Sequence, residues 1–204
     1  MAGTKRTASI DGSREAALIA VVYTDGPRVG RFLQMAAREL GAAGRRCAGF
    51  LQFDEPRPGR SRCDMVLENL QTGRRLRISE ERGPEAKGCL LDADALLQAM
   101  GEVRGALGGD VDVVLLNKFG KAEAEGQGLR PLIADAVAQG IAVVIGVPQR
   151  NLVGWRGFAG GLALELDLDA GEDQAWRALR GALGVAAGDG RPAPANADAG
   201  VSGR

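Results

Sequence analysis

Short apolar runs alternate along this chain with stretches in which apolar residues recur every three or four positions. The runs indicate buried strands, and the longer spacing indicates amphipathic helices. The predicted strands are Leu18–Tyr23, Arg46–Phe53, Val111–Leu116, Ile141–Val147 and Leu162–Leu166. The predicted helices run from Val29 to near Gly41, from Asp92 to Leu107, from about Leu129 to Ala138, through Trp155 and Phe158 after a cap at Asn151, and from Glu172 to Leu183.

A β-hairpin is predicted in the middle of the chain. Between Cys63 and Ser79, apolar and polar residues alternate on both sides of a turn signal at Gln71, Thr72 and Gly73. Such alternation is typical of antiparallel strands. The strand–helix–strand order elsewhere forms right-handed parallel units. The chain therefore predicts an α/β fold, a three-layer sandwich with a mainly parallel sheet and an inserted hairpin at about 60–80.

One folded domain is predicted over residues 17–184. Residues 1–16 and 185–204 are predicted to be disordered, because the tail consists mostly of Ala, Gly, Pro, Asp and Asn and has little to bury. The first residues lack the apolar core of a signal peptide. No apolar run approaches the ~18 residues that span a bilayer. We therefore expect a cytoplasmic protein without membrane insertion.

Composition removes several classes of function. The 26 basic and 26 acidic residues cancel, which argues against a nucleic-acid partner. The chain has no histidine, so it lacks the commonest general base and metal ligand. Its three cysteines are widely spaced, as thiols of a reducing compartment are.

The cysteines allow two interpretations. If the hairpin packs over the crevice of the sheet, Cys63 and Cys89 approach each other and offer thiolates to a soft metal. Alternatively they are small buried hydrophobic residues, as we also expect for Cys47.

The break after the first strand has the setting of a phosphate-binding loop, because a helix amino terminus offers free N–H groups and a positive dipole end. Compared with the Walker pattern, Asp25 replaces the first glycine, Arg31 the lysine and Phe32 the hydroxyl that binds Mg²⁺. The candidate anion-binding residues are Asp25, Gly26, Pro27, Arg28, Val29, Gly30 and Arg31. An ordinary strand–helix turn, with Asp25 and Gly26 serving its geometry, stays open.

Polar residues also follow the buried strand Val111–Leu116. Ligands of open α/β sheets lie outside the carboxyl ends of the strands. Further candidates for oxyanion binding are therefore Asn117, Lys118, Gly120, Lys121 and, after the next strand, Arg150. Glu123 is a nearby carboxylate and, with Asp25, a candidate catalytic group. The alternative is that Lys118 and Lys121 are solvated loop charges.

Three stretches, Asn117–Arg130, Val147–Asn151 and Trp155–Gly161, carry a resemblance to an uncharacterised bacterial family with a degenerate P-loop, often encoded near molybdate-transport genes. The chain is also similar to thermophile-type nucleoside triphosphatases. The resemblance implies a P-loop NTPase-like fold and a role in molybdate or molybdenum handling, with a molybdate-transport or molybdenum-cofactor component as a partner.

The triphosphatase resemblance is incomplete at its strand-end motif. Gly120, Lys121 and Glu123 match it, whereas Asn117 and Lys118 stand where that family has an Asp-Glu pair. The groups that order magnesium are therefore missing.

We consider three functions. The first is a receptor for a nucleotide or an oxyanion such as molybdate, with little or no NTP hydrolysis, because phosphoryl transfer depends on the missing magnesium-ordering groups. The second is a magnesium-dependent nucleoside triphosphatase in which Asp25 and Glu123 rebuild the metal site around Arg31. The third is a protein-interaction module that uses the hairpin. Composition and motifs do not identify the ligand or the oligomeric state.

Overall fold

The computed structural model describes residues 18–56, 63–79 and 92–185. Its strands are β1 (Leu18–Tyr23), β2 (Cys47–Pro56), β3 (Cys63–Asn69), β4 (Arg75–Arg77), β5 (Val113–Asn117), β6 (Ala142–Pro148) and β7 (Leu164–Asp167). Its α-helices are α1 (Gly26–Ala42), α2 (Ala93–Leu107), α3 (Lys121–Ala124), α4 (Arg130–Ala138), α5 (Leu152–Ala159) and α6 (Glu172–Ala182). A 3-10 turn (Gln149–Asn151) connects β6 to α5. The predicted segment 1–16 and all but the first residue of the predicted tail lie outside the described residues.

The strands form one seven-stranded sheet in the order β4-β3-β2-β5-β6-β1-β7. β2, β5, β6, β1 and β7 run parallel, whereas β3 and β4 join the β2 edge in antiparallel fashion. The predicted α/β class, with a mainly parallel sheet and an inserted hairpin, is therefore confirmed.

Helices cover both faces of the parallel strands. α1 and α6 pack on the face that carries Ile19 and Val144, and α2, α4 and α5 pack on the face that carries Val114 and Ile145. All six residues of β1 are buried, as expected for a parallel strand covered on both sides. No helix within the described ranges has the length and apolar character needed to cross a bilayer.

The hairpin forms around the predicted turn. The Asn69 side chain accepts hydrogen bonds from the backbone N–H groups of Gln71 (2.9 Å) and Thr72 (3.3 Å), which closes the β3–β4 connection. Residues 50–56 of β2 pair with residues 63–69 of β3, so the hairpin widens the sheet at its edge and does not fold over it. Cys89 and the side chain of Cys63 fall in parts of the chain that the structure does not describe.

Candidate functional site

The carboxyl ends of β1, β5 and β6 meet around Gly146. A Cβ atom added to this glycine would lie 3.3 Å from Asn117 Oδ1 and 3.4 Å from both Tyr23 Cε1 and Val29 Cγ2. The ends of β1 and β5 and the beginning of α1 therefore converge on one point. α1 and α5, which follow β1 and β6, pack on opposite faces. Ligand crevices form at such points in open α/β sheets.

Asn117 brings a buried acceptor to this point. The residue is 7% exposed, and its Oδ1 has no hydrogen-bond donor among the described residues. Leaving a buried acceptor unsatisfied costs roughly 1–3 kcal/mol. Groups of this kind are rare and concentrate where a ligand or a water molecule supplies the partner.

The connection between β1 and α1 is a tight turn. Only Thr24 and Asp25 separate the strand from the helix, so the segment Gly26–Arg31 is helical and does not form an extended loop around an anion. The Asp25 side chain makes no cap hydrogen bond, and its carbonyl oxygen accepts the Val29 N–H at 3.2 Å. Pro27 has no N–H, which leaves few backbone donors at this helix start.

The side chains near this turn are largely engaged elsewhere. Arg28 pairs with Glu172 (Nε to Oε2, 3.2 Å) and with Asp169 (Nη1 to Oδ1, 3.9 Å) near the start of α6. Arg31 is exposed and has no ion-pair partner in the described ranges. Phe32 is fully buried, with its ring centroid 4.4 Å from that of Trp176. Phe32, which stands where the Walker pattern has a hydroxyl residue, is therefore part of the core.

Glu123 organises the loop between β5 and α4. The residue is 4% exposed, and its Oε2 accepts the Gly120 N–H at 2.7 Å while its Oε1 accepts the Leu129 N–H at 2.9 Å. Arg130 Nε donates to the Glu123 carbonyl oxygen at 2.6 Å. One carboxylate therefore joins the two ends of a loop that encloses the short helix α3.

A cavity of about 420 Å³ opens beside this loop, and we call it the β5-loop cavity. Its apolar lining comes from β2, the hairpin, α2 and the loop: Phe50, Met65, Leu67, Ile78, Leu96 and Leu129. Its polar lining comes from β2 and the loop: Gln52, Asn117, Lys118, Gly120, Lys121, Glu123, Glu125 and Gln127. Lys121 Nζ lies 3.6 Å from Glu125 Oε1. Lys118 is half-buried and has no ion-pair partner in the part of the chain that is described.

The loop is joined to α5 by polar and aromatic contacts. Asn151 stands at the predicted N-cap position of α5, but its side chain makes no cap hydrogen bond. Its Nδ2 instead donates to the Phe119 carbonyl oxygen at 2.9 Å. The Phe119 ring meets the Trp155 ring edge-on at 5.2 Å, and the Arg130 guanidinium lies 5.0 Å from the centre of the Phe158 ring. The three stretches that carry the family resemblance therefore form one packed unit.

Arg150 belongs to the end of β1 rather than to the cavity. Burial raises the pKa of Tyr23 to about 12, and the positive charge of Arg150 partly offsets this effect. Tyr23 is the only tyrosine of the chain and is 4% exposed. The carboxyl ends of β1 and β6 therefore carry a buried phenol, Tyr23, and an arginine close enough to affect its pKa.

A wider groove, of about 610 Å³, lies at the amino ends of β2 and β5. It is lined by Ala43–Arg46, Asp112, Gly184 and Val185. Arg46 pairs there with Asp110 at 2.7 Å and with Asp112 at 3.3 Å, and hydrogen bonds from Arg46 lower the pKa of Asp112. Because opposite charges pair in this groove and none of the predicted residues lines it, we take the carboxyl edge as the candidate site.

The family comparison agrees with the extent of this fold. The model of DUF2478, described as a protein of unknown function, matches residues 18–176, from the start of β1 into α6. The chain belongs to the DUF2478 family. All of the described residues that line the β5-loop cavity lie within the DUF2478 match.

The DUF2478 chain is also similar to part of a longer protein. The chain is 35% identical over 169 residues to the Molybdenum import ATP-binding protein ModC 2 of Bradyrhizobium diazoefficiens. The aligned region covers 83% of this chain but 18% of that relative, so the chain spans less than a fifth of the relative's length. No solved structure matches the chain.

The predicted residues of this DUF2478 chain separate into two groups. Asn117, Lys118, Gly120 and Lys121 share the β5-loop cavity, whereas the segment Asp25–Arg31 and Arg150 do not line it. The segment and the cavity approach each other where Val29 and Asn117 meet at Gly146. Within the described ranges, no three or more potential ligands cluster to hold a metal ion. The soft-metal hypothesis for Cys63 and Cys89 stays a prediction.

Sequence reasoning missed the apolar wall of the cavity and the role of Glu123. Met65 and Leu96 contribute to that wall from β3 and α2, which are distant along the chain, and no local pattern brings them together. A signal for Glu123 was present, however. A glutamate three residues after a helix cap often accepts the backbone N–H of the cap, which describes Gly120 and Glu123.

Proposed function

We propose that this protein is a receptor for a small anion, a nucleotide or an oxyanion, that it hydrolyses NTP slowly or not at all, and that it serves molybdate or molybdenum handling. The observation that carries the proposal is the β5-loop cavity, in which Lys118 and Lys121 lie on a loop held by Glu123. Opposite charge in a concave, largely preformed site is the usual basis of anion recognition.

The state of the magnesium-ordering positions supports binding over hydrolysis. Asn117 and Lys118 occupy the place of an acidic pair, and Phe32 is buried where a hydroxyl would bind the metal. Both oxygens of Glu123 already accept backbone N–H groups. A triphosphatase would have to place Mg²⁺ with the exposed Asp25 and a carboxylate that holds its own loop together.

The link with molybdenum rests on the relative. A segment similar to this chain forms part of a protein named for molybdenum import and ATP binding. Joining in one polypeptide is typical of modules that act together. We propose that the present chain acts beside such an import system, as a sensor of its nucleotide or of its cargo.

A thermal-shift panel with ATP, GTP, phosphate, sulfate, molybdate and tungstate tests the proposal. A ligand at about a hundred times its Kd stabilises the folded state by about 2.7 kcal/mol, which raises the Tm by about 5–10 °C for a chain of this size. Replacement of Lys118 or Lys121 by alanine should weaken binding roughly tenfold, since each removes a charge-assisted contact.

Arg38→Ala is the matched control, because Arg38 is an exposed cation on α1 that lines neither the cavity nor the turn. Equal losses in the Lys118 and Arg38 variants would contradict a specific site. Magnesium-dependent turnover of ATP that Asp25→Ala abolishes would contradict the receptor and support the triphosphatase.

A further inference from the structure

The β5-loop cavity is large for an inorganic ion. Its volume is about 420 Å³, whereas a water molecule takes about 30 Å³ of liquid volume and phosphate has only five heavy atoms. Cavities of about 300–1,000 Å³ are the ordinary size for organic ligands and cofactors. An inorganic oxyanion would leave most of this cavity empty.

The apolar wall does not suit an inorganic ion either. Phe50, Leu67 and Ile78 form the buried base of the wall and are 2–3% exposed, whereas Leu96 (9% exposed) and the half-buried Met65 offer more accessible surface. A bare anion placed against such a surface loses water without gaining a hydrogen bond, which is unfavourable. A flat ring gains stability from the same surface, because the apolar area of both is removed from water.

Most of the polar groups that line the cavity belong to the β5–α4 loop and not to this wall. Lys118, Gly120 and Lys121 belong to the β5–α4 loop. The amides of Gln52 and Gln127 also line the cavity and offer both donors and acceptors. Glu123 and Glu125 line the cavity as well, but Glu123 accepts two backbone N–H groups and Glu125 pairs with Lys121. Lys118 is therefore the lining cation without an ion-pair partner in the described ranges, and the amides match the polar edge of a heterocycle.

The β5–α4 loop, which carries Lys118 and Lys121, is held in place before any ligand binds. The Glu123 carboxylate accepts the N–H groups of Gly120 and Leu129, and the Asn151 amide donates to the Phe119 carbonyl oxygen. The backbone between and after the two lysines is therefore held by hydrogen bonds. A preformed donor arrangement lowers the ordering cost of binding.

From these features, and resting on the proposed anion-binding function, we propose that the ligand of the β5-loop cavity is a planar organic anion. It is a heterocycle that carries a phosphate-type group, not a free tetrahedral oxyanion. The anionic group lies by Lys118 and Lys121, and the ring lies on the part of the wall formed by Met65 and Leu96.

Calorimetric titration of the full chain tests this inference with four probes: AMP, flavin mononucleotide, adenosine and inorganic phosphate. At least one of the two organic phosphates should bind about tenfold or more tightly than inorganic phosphate, because the ring adds apolar contact. Adenosine should bind more weakly than AMP, because it lacks the anionic group that the lysines attract.

Two variants assign the effect to the cavity. Met65→Ser removes apolar surface from the half-buried wall and should weaken the organic phosphate about fivefold or more while leaving inorganic phosphate unchanged. Lys118→Ala should weaken both. Circular dichroism would reveal whether the Met65 variant loses its fold. In that case Gln52→Leu, at a half-buried residue, is a second test of ring recognition.

The outcomes separate the two proposals. Inorganic phosphate or molybdate binding as tightly as both organic phosphates, with no effect of Met65→Ser or Gln52→Leu, would overturn the planar ligand and leave the anion receptor standing. Adenosine binding as tightly as AMP would overturn the anionic group of the ligand. Failure of every anion of both panels to bind would overturn the receptor itself, and the planar anion with it.

Discussion

The β1–α1 turn and the β5–α4 loop both follow buried strands at the same edge of the sheet, and they are built in opposite ways. The turn has two residues before its helix begins, and the arginine in its first helical turn is paired with Asp169 and Glu172. The loop has 12 residues from Lys118 to Leu129, with a buried carboxylate inside it and two lysines at the rim of a cavity.

The difference shows that likeness of a segment to a motif and the arrangement of its side chains are separate properties. The turn lies where a phosphate-binding loop would lie, yet its residues are used for helix packing and for contacts with α6. The loop lacks the acidic pair of the triphosphatase motif, but its backbone is held by Glu123 and its two lysines are among the residues that line a cavity. Four predictions test this contrast, ordered from the largest expected effect to the smallest.

Removing the Glu123 carboxylate should have the largest effect. Glu123→Ala leaves the N–H groups of Gly120 and Leu129 without their acceptor, and we expect a loss of about 3–4 kcal/mol in the free energy of unfolding. Urea denaturation measures it. Glu125→Ala, at an exposed residue that forms an ion pair with Lys121, should cost less than about 0.5 kcal/mol. Equal losses would mean that the carboxylate does not hold the loop.

A methyl group at Gly128 should disturb the same loop. Gly128 has φ of +62°, and a Cβ atom there would collide with the Glu123 carboxylate. We expect Gly128→Ala to lower the free energy of unfolding by about 2–3 kcal/mol. Gly126→Ala, with φ of +95° and open space around it, isolates the backbone strain and should cost about 1 kcal/mol. If the two variants were equally stable, the packing of Gly128 on Glu123 would be unimportant.

The end of β1 can be tested by pH. The pKa of Tyr23 is about 12 in the folded protein, against about 10 for an exposed tyrosine, so the unfolded chain loses the phenol proton first. The free energy of unfolding should therefore fall by roughly 2 kcal/mol between pH 10 and 12, and Tyr23→Phe should remove this dependence. Because the chain has one tyrosine, tyrosinate absorbance reports the pKa directly. A pKa near 10 would mean that the end of β1 is open to solvent.

Asp25 should matter least. It stands at the cap of α1 without a side-chain cap bond, so Asp25→Ala should change the free energy of unfolding by less than about 0.5 kcal/mol. Asp92→Ala is the matched control, since Asp92 caps α2 by accepting the Ala95 N–H at 2.9 Å, and should cost about 1 kcal/mol. Thermal unfolding distinguishes them, and a large loss in the Asp25 variant would contradict the structural contrast.

Local patterns were sufficient for most of the fold. The uninterrupted apolar run of β1, the alternation around Gly73 and the aspartate before α2 each have one dominant structural meaning, and each element formed where it was predicted. The ends of β1 and α2 agree with the prediction to within one residue, whereas β2 ends at Pro56, three residues beyond the predicted Phe53. The last strand residue of β5 is Asn117, which pairs with Gly146 of β6, and the missing side chain of Gly146 leaves room for the Asn117 amide.

The site was less accessible to such reasoning, because its contacts join distant residues. Asparagine is a common helix-cap residue type. Asn151, however, ends a 3-10 turn, and its side-chain amide donates to Phe119, 32 residues earlier in the chain. Glu123 has the residue type of a catalytic group. The residues next to it in sequence do not reveal that the backbone N–H of Leu129 donates to its carboxylate. The residue types indicate which chemistry each side chain can perform, but they do not indicate the direction in which the side chain points.

The edge-on contact between Phe119 and Trp155 has a practical consequence. Phe119 directly follows Lys118, and the indole lies one aromatic ring away from the rim of the cavity. Trp176, the other tryptophan, packs on Phe32 beneath the opposite face of the sheet. In a Trp176→Phe variant the emission spectrum would come from a single fluorophore beside the rim, so the protein carries its own optical probe of occupancy and needs no dye.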